Sequence, residues 1–112
     1  LICNFYLSLR YVYVTKRKDM NRDELIAALQ QKYPKATFRT TEEFDGSEGG
    51  VWTSGEDHKQ LHAGLPLFNY YSQDGGSRHY VFGVRTFLHS WLEEQGWYCQ
   101  WYDAGTVMIY EM

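Results

Sequence analysis

Residues 84–110 constrain this chain more than any other stretch, because their register can be argued residue by residue. Val84, Phe87, Leu88, Trp91 and Leu92 recur at the spacing of one helical face, which predicts a helix over 84–95. Glu93, Glu94 and Gln95 lie off that stripe, and Gly96 stands where a left-handed C-terminal cap is needed. Residues 97–102 and 106–111 then read as a hairpin, with Asp103-Ala104-Gly105 as its loop and Gly105 at a left-handed bulge position. This loop sets Tyr102 opposite Thr106, Trp101 opposite Val107, Gln100 opposite Met108, Cys99 opposite Ile109 and Tyr98 opposite Tyr110.

Opposite residues of an antiparallel pair share one side of the sheet. Trp97, Cys99, Trp101, Val107 and Ile109 therefore make an apolar side, predicted to face the helices. Tyr98, Gln100, Tyr102, Thr106, Met108 and Tyr110 make the other. Rings with a polar tip, a methionine and small polar groups are the side chains enriched at interfaces. Tyr98, Gln100, Tyr102, Met108 and Tyr110 are accordingly the candidate partner-binding residues. The plainer alternative is an ordinary open sheet face whose rings pair across strands, or one covered by residues 1–14.

Aromatic residues alone carry no such message here. Six Phe, four Trp and ten Tyr stand beside ten Leu, six Val and three Ile, so the core must be built largely from rings. At 112 residues the chain is one domain, large enough to bury roughly two-thirds of its unfolded surface. Cys3 and Cys99 make neither a disulfide framework nor a zinc pattern, which points to a reducing, cytoplasmic setting. The apolar run over 1–14 is interrupted by Asn4, Ser8 and Arg10 and is too short for a membrane span.

Residues 1–19 carry Arg10, Lys16, Arg17 and Lys18 against Asp19, whereas residues 20–112 are acidic. Charge and pattern both change at Met20, which reads as a start. Residues 1–19 are thus expected to be an N-terminal extension or an added edge strand, and 20–112 a single α+β domain. The acidic balance argues against direct nucleic-acid binding, which needs clustered Lys and Arg.

Within the domain, Asn21 and Glu24 predict a capping box, and Leu25, Ile26, Leu29 and Tyr33 the buried face of a helix ended by Pro34. Residues 36–41 and 51–53 are strand candidates flanking an acidic, Gly-rich loop. Residues 58–64 are read as a helical turn or loop. Residues 67–72 and 78–82 predict a second hairpin about Gln73-Asp74-Gly75-Gly76, its register undecided between two turn dipeptides. The expected fold is α+β, two-layer, with a mainly antiparallel sheet and two helices packed on one face.

Few residues carry chemistry. His58 and His62 share a face if residues 58–62 are helical, making a candidate metal pair for a metal-dependent hydrolase, but no third ligand has a diagnostic spacing. Glu42, Glu43, Asp45, Glu48, Glu56 and Asp57 form an acidic group that either mimics nucleic acid for a basic partner or is simply a solvated loop. The loop lacks calcium-binding spacing, and no nucleophile elbow, phosphate loop or dinucleotide fingerprint occurs. No cofactor is implied, and a binder is favoured over an enzyme.

The segments Thr41-Glu42-Glu43-Phe44-Asp45-Gly46, Gly50-Val51-Trp52-Thr53-Ser54-Gly55 and Gly96-Trp97 through Trp101-Tyr102-Asp103-Ala104-Gly105-Thr106-Val107 resemble those of small accessory proteins of prophages and plasmids. The resemblance covers roughly residues 20–112 and implies a small binder, with inhibition of host defence nucleases among the roles such proteins take. The expectation is a cytoplasmic protein that acts by protein–protein contacts, with a homodimer as one form of that contact.

Overall fold

The capping box forms as the sequence dictates. In the computed structural model, which describes residues 20–55, 60–72 and 78–112, the Asn21 carboxamide oxygen accepts the Glu24 N–H at 2.9 Å. The Glu24 carboxylate accepts the Asn21 N–H at 3.1 Å. Helix α1 (Arg22–Lys32) follows and buries Leu25 and Leu29 completely, a contribution of about 1.5–3 kcal/mol from each side chain. Tyr33, ahead of Pro34, closes it.

The chain then runs through β1 (Phe38–Thr40), the four-residue helix α2 (Thr41–Phe44) and β2 (Val51–Ser54). Buried Thr41 holds the connecting loop shut: its hydroxyl donates to the Ser47 carbonyl at 2.7 Å and accepts the Gly50 N–H at 3.1 Å. The C-terminal part of the chain forms helix α3 (Thr86–Glu94) and strands β7 (Trp97–Asp103) and β8 (Thr106–Glu111). The four long strands form one sheet in the order β1-β2-β8-β7, each neighbour antiparallel. The fold is thus α+β, with an antiparallel sheet and the two longer helices sharing its core.

β8 lies in the middle of the sheet, and its register decides both faces. Ile109 sits between Val51 and Cys99, and Val107 between Thr53 and Trp101. Val51, Thr53, Val107 and Ile109 are wholly buried against Leu25, Leu29, Leu88 and Leu92 of the helices. Trp97 belongs to the same side and is pinned by its indole N–H, which donates to the Met20 carbonyl at 2.7 Å. Trp101 packs edge-on to Phe68 and Tyr70 and donates its N–H to the Phe82 carbonyl at 2.8 Å.

Several expectations are corrected. The β7–β8 turn is tighter than a three-residue loop: Asp103, not Tyr102, pairs with Thr106, and Tyr102 is the extra residue in the ladder. The Asp103 carboxylate accepts the Gly105 N–H at 2.9 Å, a local Asp turn that closes the chain one residue early. Gly105 is accordingly not left-handed, whereas Gly96 is, with φ 89°. Val84 belongs to a strand rather than to α3, and Phe87 is 66% exposed instead of joining the core.

The middle of the chain differs most. Residues 67–72 and 78–82 do not pair as one hairpin. Instead β3 (Leu61–His62) pairs with β4 (Leu65–Pro66), and β5 (Tyr80–Val81) with β6 (Val84–Arg85). Their two-residue turns, Ala63-Gly64 and Phe82-Gly83, have positive φ at both positions, which matches the twist of a tight hairpin. Leu67 and Asn69 bond across to Arg85 and Gly83, and Tyr70–Ser72 is a 3-10 turn. The Gln73-Asp74-Gly75-Gly76 tip and residues 1–19 lie outside the described residues. Among the described residues no helix is long and apolar enough to cross a membrane.

Removing the cap tests how α1 is anchored. Asn21→Ala strands the Glu24 N–H and is expected to cost about 1 kcal/mol, read as a lower urea midpoint with an unchanged slope.

Candidate functional site: the outer face of the sheet

The face opposite α1 and α3 collects rings from four elements, α2, β2, β7 and β8. Tyr98, Gln100 and Tyr102 of β7 are exposed, as expected for an edge strand with solvent on one side. Tyr110 is half-buried and Met108 is 2% exposed. The difference comes from strand order. β7 is the last strand of the described sheet, whereas side chains of β8 are flanked on both sides: Met108 lies in register between Trp52 and Gln100.

Tyr110 is held in a specific way. Its ring lies over Gly50, where a Cβ atom would come within 2.6 Å of it, while its other neighbour is Tyr98, with centroids 6.3 Å apart. The missing side chain of Gly50 is therefore the seat of the Tyr110 ring. Tyr110 is packed as part of the face, and Tyr98 and Tyr102 present it.

Two rings in this group were not anticipated. Phe44 stacks on Trp52 at 5.7 Å with planes 22° apart and meets Tyr102 edge-on at 5.5 Å. Phe44 is 43% exposed, close to Tyr98 at 38% and Tyr102 at 57%. Trp52 was legible in principle, because it alternates with buried Val51 and Thr53 and so must face outward once β2 is paired with β8. Phe44 carries no such signal, since only a four-residue helix swings it across the strands. Beside these rings Arg39, Thr40, Glu43, Phe44 and Trp52 line a recess of about 90 Å³. The Trp52 indole N–H is buried with no acceptor among the described residues.

The acidic residues separate into different roles. Glu42 is tied down: it accepts from Gly49 N–H at 3.2 Å and from Arg22 at 2.6 Å. The Gly49 bond foremost, with the Arg22 guanidinium behind it, holds this carboxyl below its ordinary range. Hydrogen bonds from Ser47 do the same for Asp45. Glu43 accepts the Thr40 hydroxyl at 3.2 Å, and Glu48 is exposed. Glu56 and Asp57 lie outside the described residues. Glu42 and Asp45 thus organise their own loop.

The histidine pair is not assembled as a helical face. His62 stands in β3, its Nδ1 3.1 Å from the Tyr33 hydroxyl and its ring stacked on Phe87 at 5.5 Å. His58 lies outside the described residues, among which no three His, Cys, Asp or Glu side chains converge as metal ligands. Cys99 packs against the core, where burial pushes its thiol up to about 12, so it is held in the unreactive form.

No protein-family model, curated protein or solved structure matches this chain.

The Glu42 anchor has a testable pH signature. Folding lowers its pKa, so its stabilisation is fully present above the ordinary value of 4.5 and is lost as pH falls through the lowered one. Glu42→Gln is therefore expected to lower the urea midpoint at neutral pH and to converge with the parent protein in acid. A gap independent of pH contradicts the assignment.

Proposed function

We propose that this protein is a non-enzymatic binder that docks a protein partner on the outer face of its sheet. The observation that carries the reading is the exposure of Phe44, Tyr98 and Tyr102, in two separate ring contacts, on a sheet face opposite the helical core. Ring-ring contacts already fix these side chains, so little rotamer freedom remains to be lost on binding. Aromatic anchors beside a polar group such as Gln100 are the residues that dominate binding energy at protein interfaces. The resemblance to accessory proteins of prophages and plasmids makes a host protein in the cytoplasm the proposed partner, with inhibition as the proposed effect.

A nucleic-acid mimic is less well supported, because Glu42 and Asp45 are engaged within their own loop. A metal-dependent hydrolase has no assembled ligand set among the described residues.

The test is a double substitution that spares the packed positions. Tyr98→Ser with Tyr102→Ser removes two exposed rings and leaves Met108 and Tyr110 in place. The variant is expected to keep its circular dichroism and melting temperature while losing the partner that the parent protein captures from its native host. It is also expected to lose any self-association seen by light scattering. Undiminished capture by a folded double variant contradicts the proposal.

A further inference from the structure

The layer opposite the tyrosine face contains a buried cation that the fold leaves incompletely satisfied. Arg85 is 4% exposed. Its two terminal nitrogens donate to the carbonyls of His62 and His79, each at 3.1 Å, and its Nε–H has no acceptor among the described residues. Tyr80 lies beside it with the guanidinium 5.8 Å from the ring centroid. Among the described residues no carboxylate pairs with it. Carbonyl dipoles and an aromatic ring soften the burial of a guanidinium, but a full counter-charge is what normally compensates its lost hydration.

Arg85 lines a cleft of about 320 Å³, together with Ala63, Leu65, Arg78, His79, Thr86 and Phe87. This is the lower end of the range for small-molecule sites. Thr86 and Phe87 begin the nine-residue helix α3, so the cleft opens at its N-terminus. That first turn has no acidic residue and no side-chain cap, while its leading N–H, from Thr86, donates to the His79 carbonyl at 3.0 Å. The partial positive charge of the helix end is therefore added to those of Arg85 and exposed Arg78. Apart from His79, the remaining wall is apolar: Leu65, Ala63 and the ring of Phe87, which is steadied by stacking on His62.

We propose that this cleft binds a small-molecule anion, a carboxylate or phosphate monoester carried on an apolar body. The anionic group enters toward Arg85 and the first turn of α3, and the apolar body lies along Leu65 and Phe87. The anion supplies the counter-charge that no carboxylate among the described residues provides, and its apolar body adds to the cover that His62 already gives Phe87. The site is independent of the tyrosine face, so either can fail without the other.

The experiment is an amide NMR titration of the full chain at low salt with four probes: benzoate, phenyl phosphate, inorganic phosphate and neutral benzyl alcohol. Benzoate or phenyl phosphate is expected to give saturable shifts at Ala63, Thr86 and Phe87, and their relative affinities identify the preferred anionic group. Benzyl alcohol is expected to give none. Arg85→Lys should abolish binding but also loosens the backbone that Arg85 ties together. Exposed Arg78→Gln is the cleaner variant, expected to weaken the anion about fivefold with an unchanged melting temperature. Phe87→Ala should weaken the aryl anions more than inorganic phosphate. No saturable shift with either aryl anion, equal shifts with benzyl alcohol, or anion affinity unaltered by Arg78→Gln in the folded protein overturns the proposal.

Discussion

The central position of β8 is the constraint on which the rest of the structure depends. Strand pairing on both sides fixes each of its residues relative to β2 and β7, and a slip of one residue would turn every side chain over. In the observed register Val107 and Ile109 are driven into the helical core, and Met108, buried, and Tyr110, half-buried, are directed to the other face. The same register gives Trp97 and Trp101 structural positions, and Tyr98 and Tyr102 exposed ones. A chain this rich in rings needs such a sorting rule, because aromatic content alone does not distinguish core from contact surface.

Much of this was legible where local chemistry was unambiguous. The Asn21–Glu24 pair forms its capping box, Gly96 takes its left-handed conformation, and four of the five expected β7–β8 pairs are present. The fifth failed for a local reason: Asp103 binds Gly105 N–H, so the turn closes early and Tyr102 becomes the extra residue. The tyrosine still reaches the outer side, where it meets Phe44.

Residues 61–85 were misread because their turns do not use the strongest turn dipeptides. Asp74-Gly75-Gly76 drew the expected hairpin to itself, whereas the observed tight turns are at Ala63-Gly64 and Phe82-Gly83. A phenylalanine at φ 50° is uncommon, and tertiary contacts hold it: Trp101 donates to the Phe82 carbonyl, and Asn69 N–H donates to that of Gly83 at 2.8 Å. Long-range bonds of this kind leave no periodic trace. The same limit hid Phe44 and the Arg85 cleft, both assembled from segments distant in sequence. The result is a domain with two unlike surfaces, an aromatic sheet face and a cationic cleft in the helical layer.

The most direct test of the register is the set of nuclear Overhauser contacts from the rings of Trp101 and Tyr102. Adjacent in sequence, they are assigned to opposite faces: Trp101 to Phe68 and Tyr70, Tyr102 to Phe44. The account predicts cross-peaks within each of those sets and none between Trp101 and Phe44 or between Tyr102 and Phe68. Contacts from Trp101 to Phe44 would show that β7 is turned over and that the tyrosine face does not exist as described.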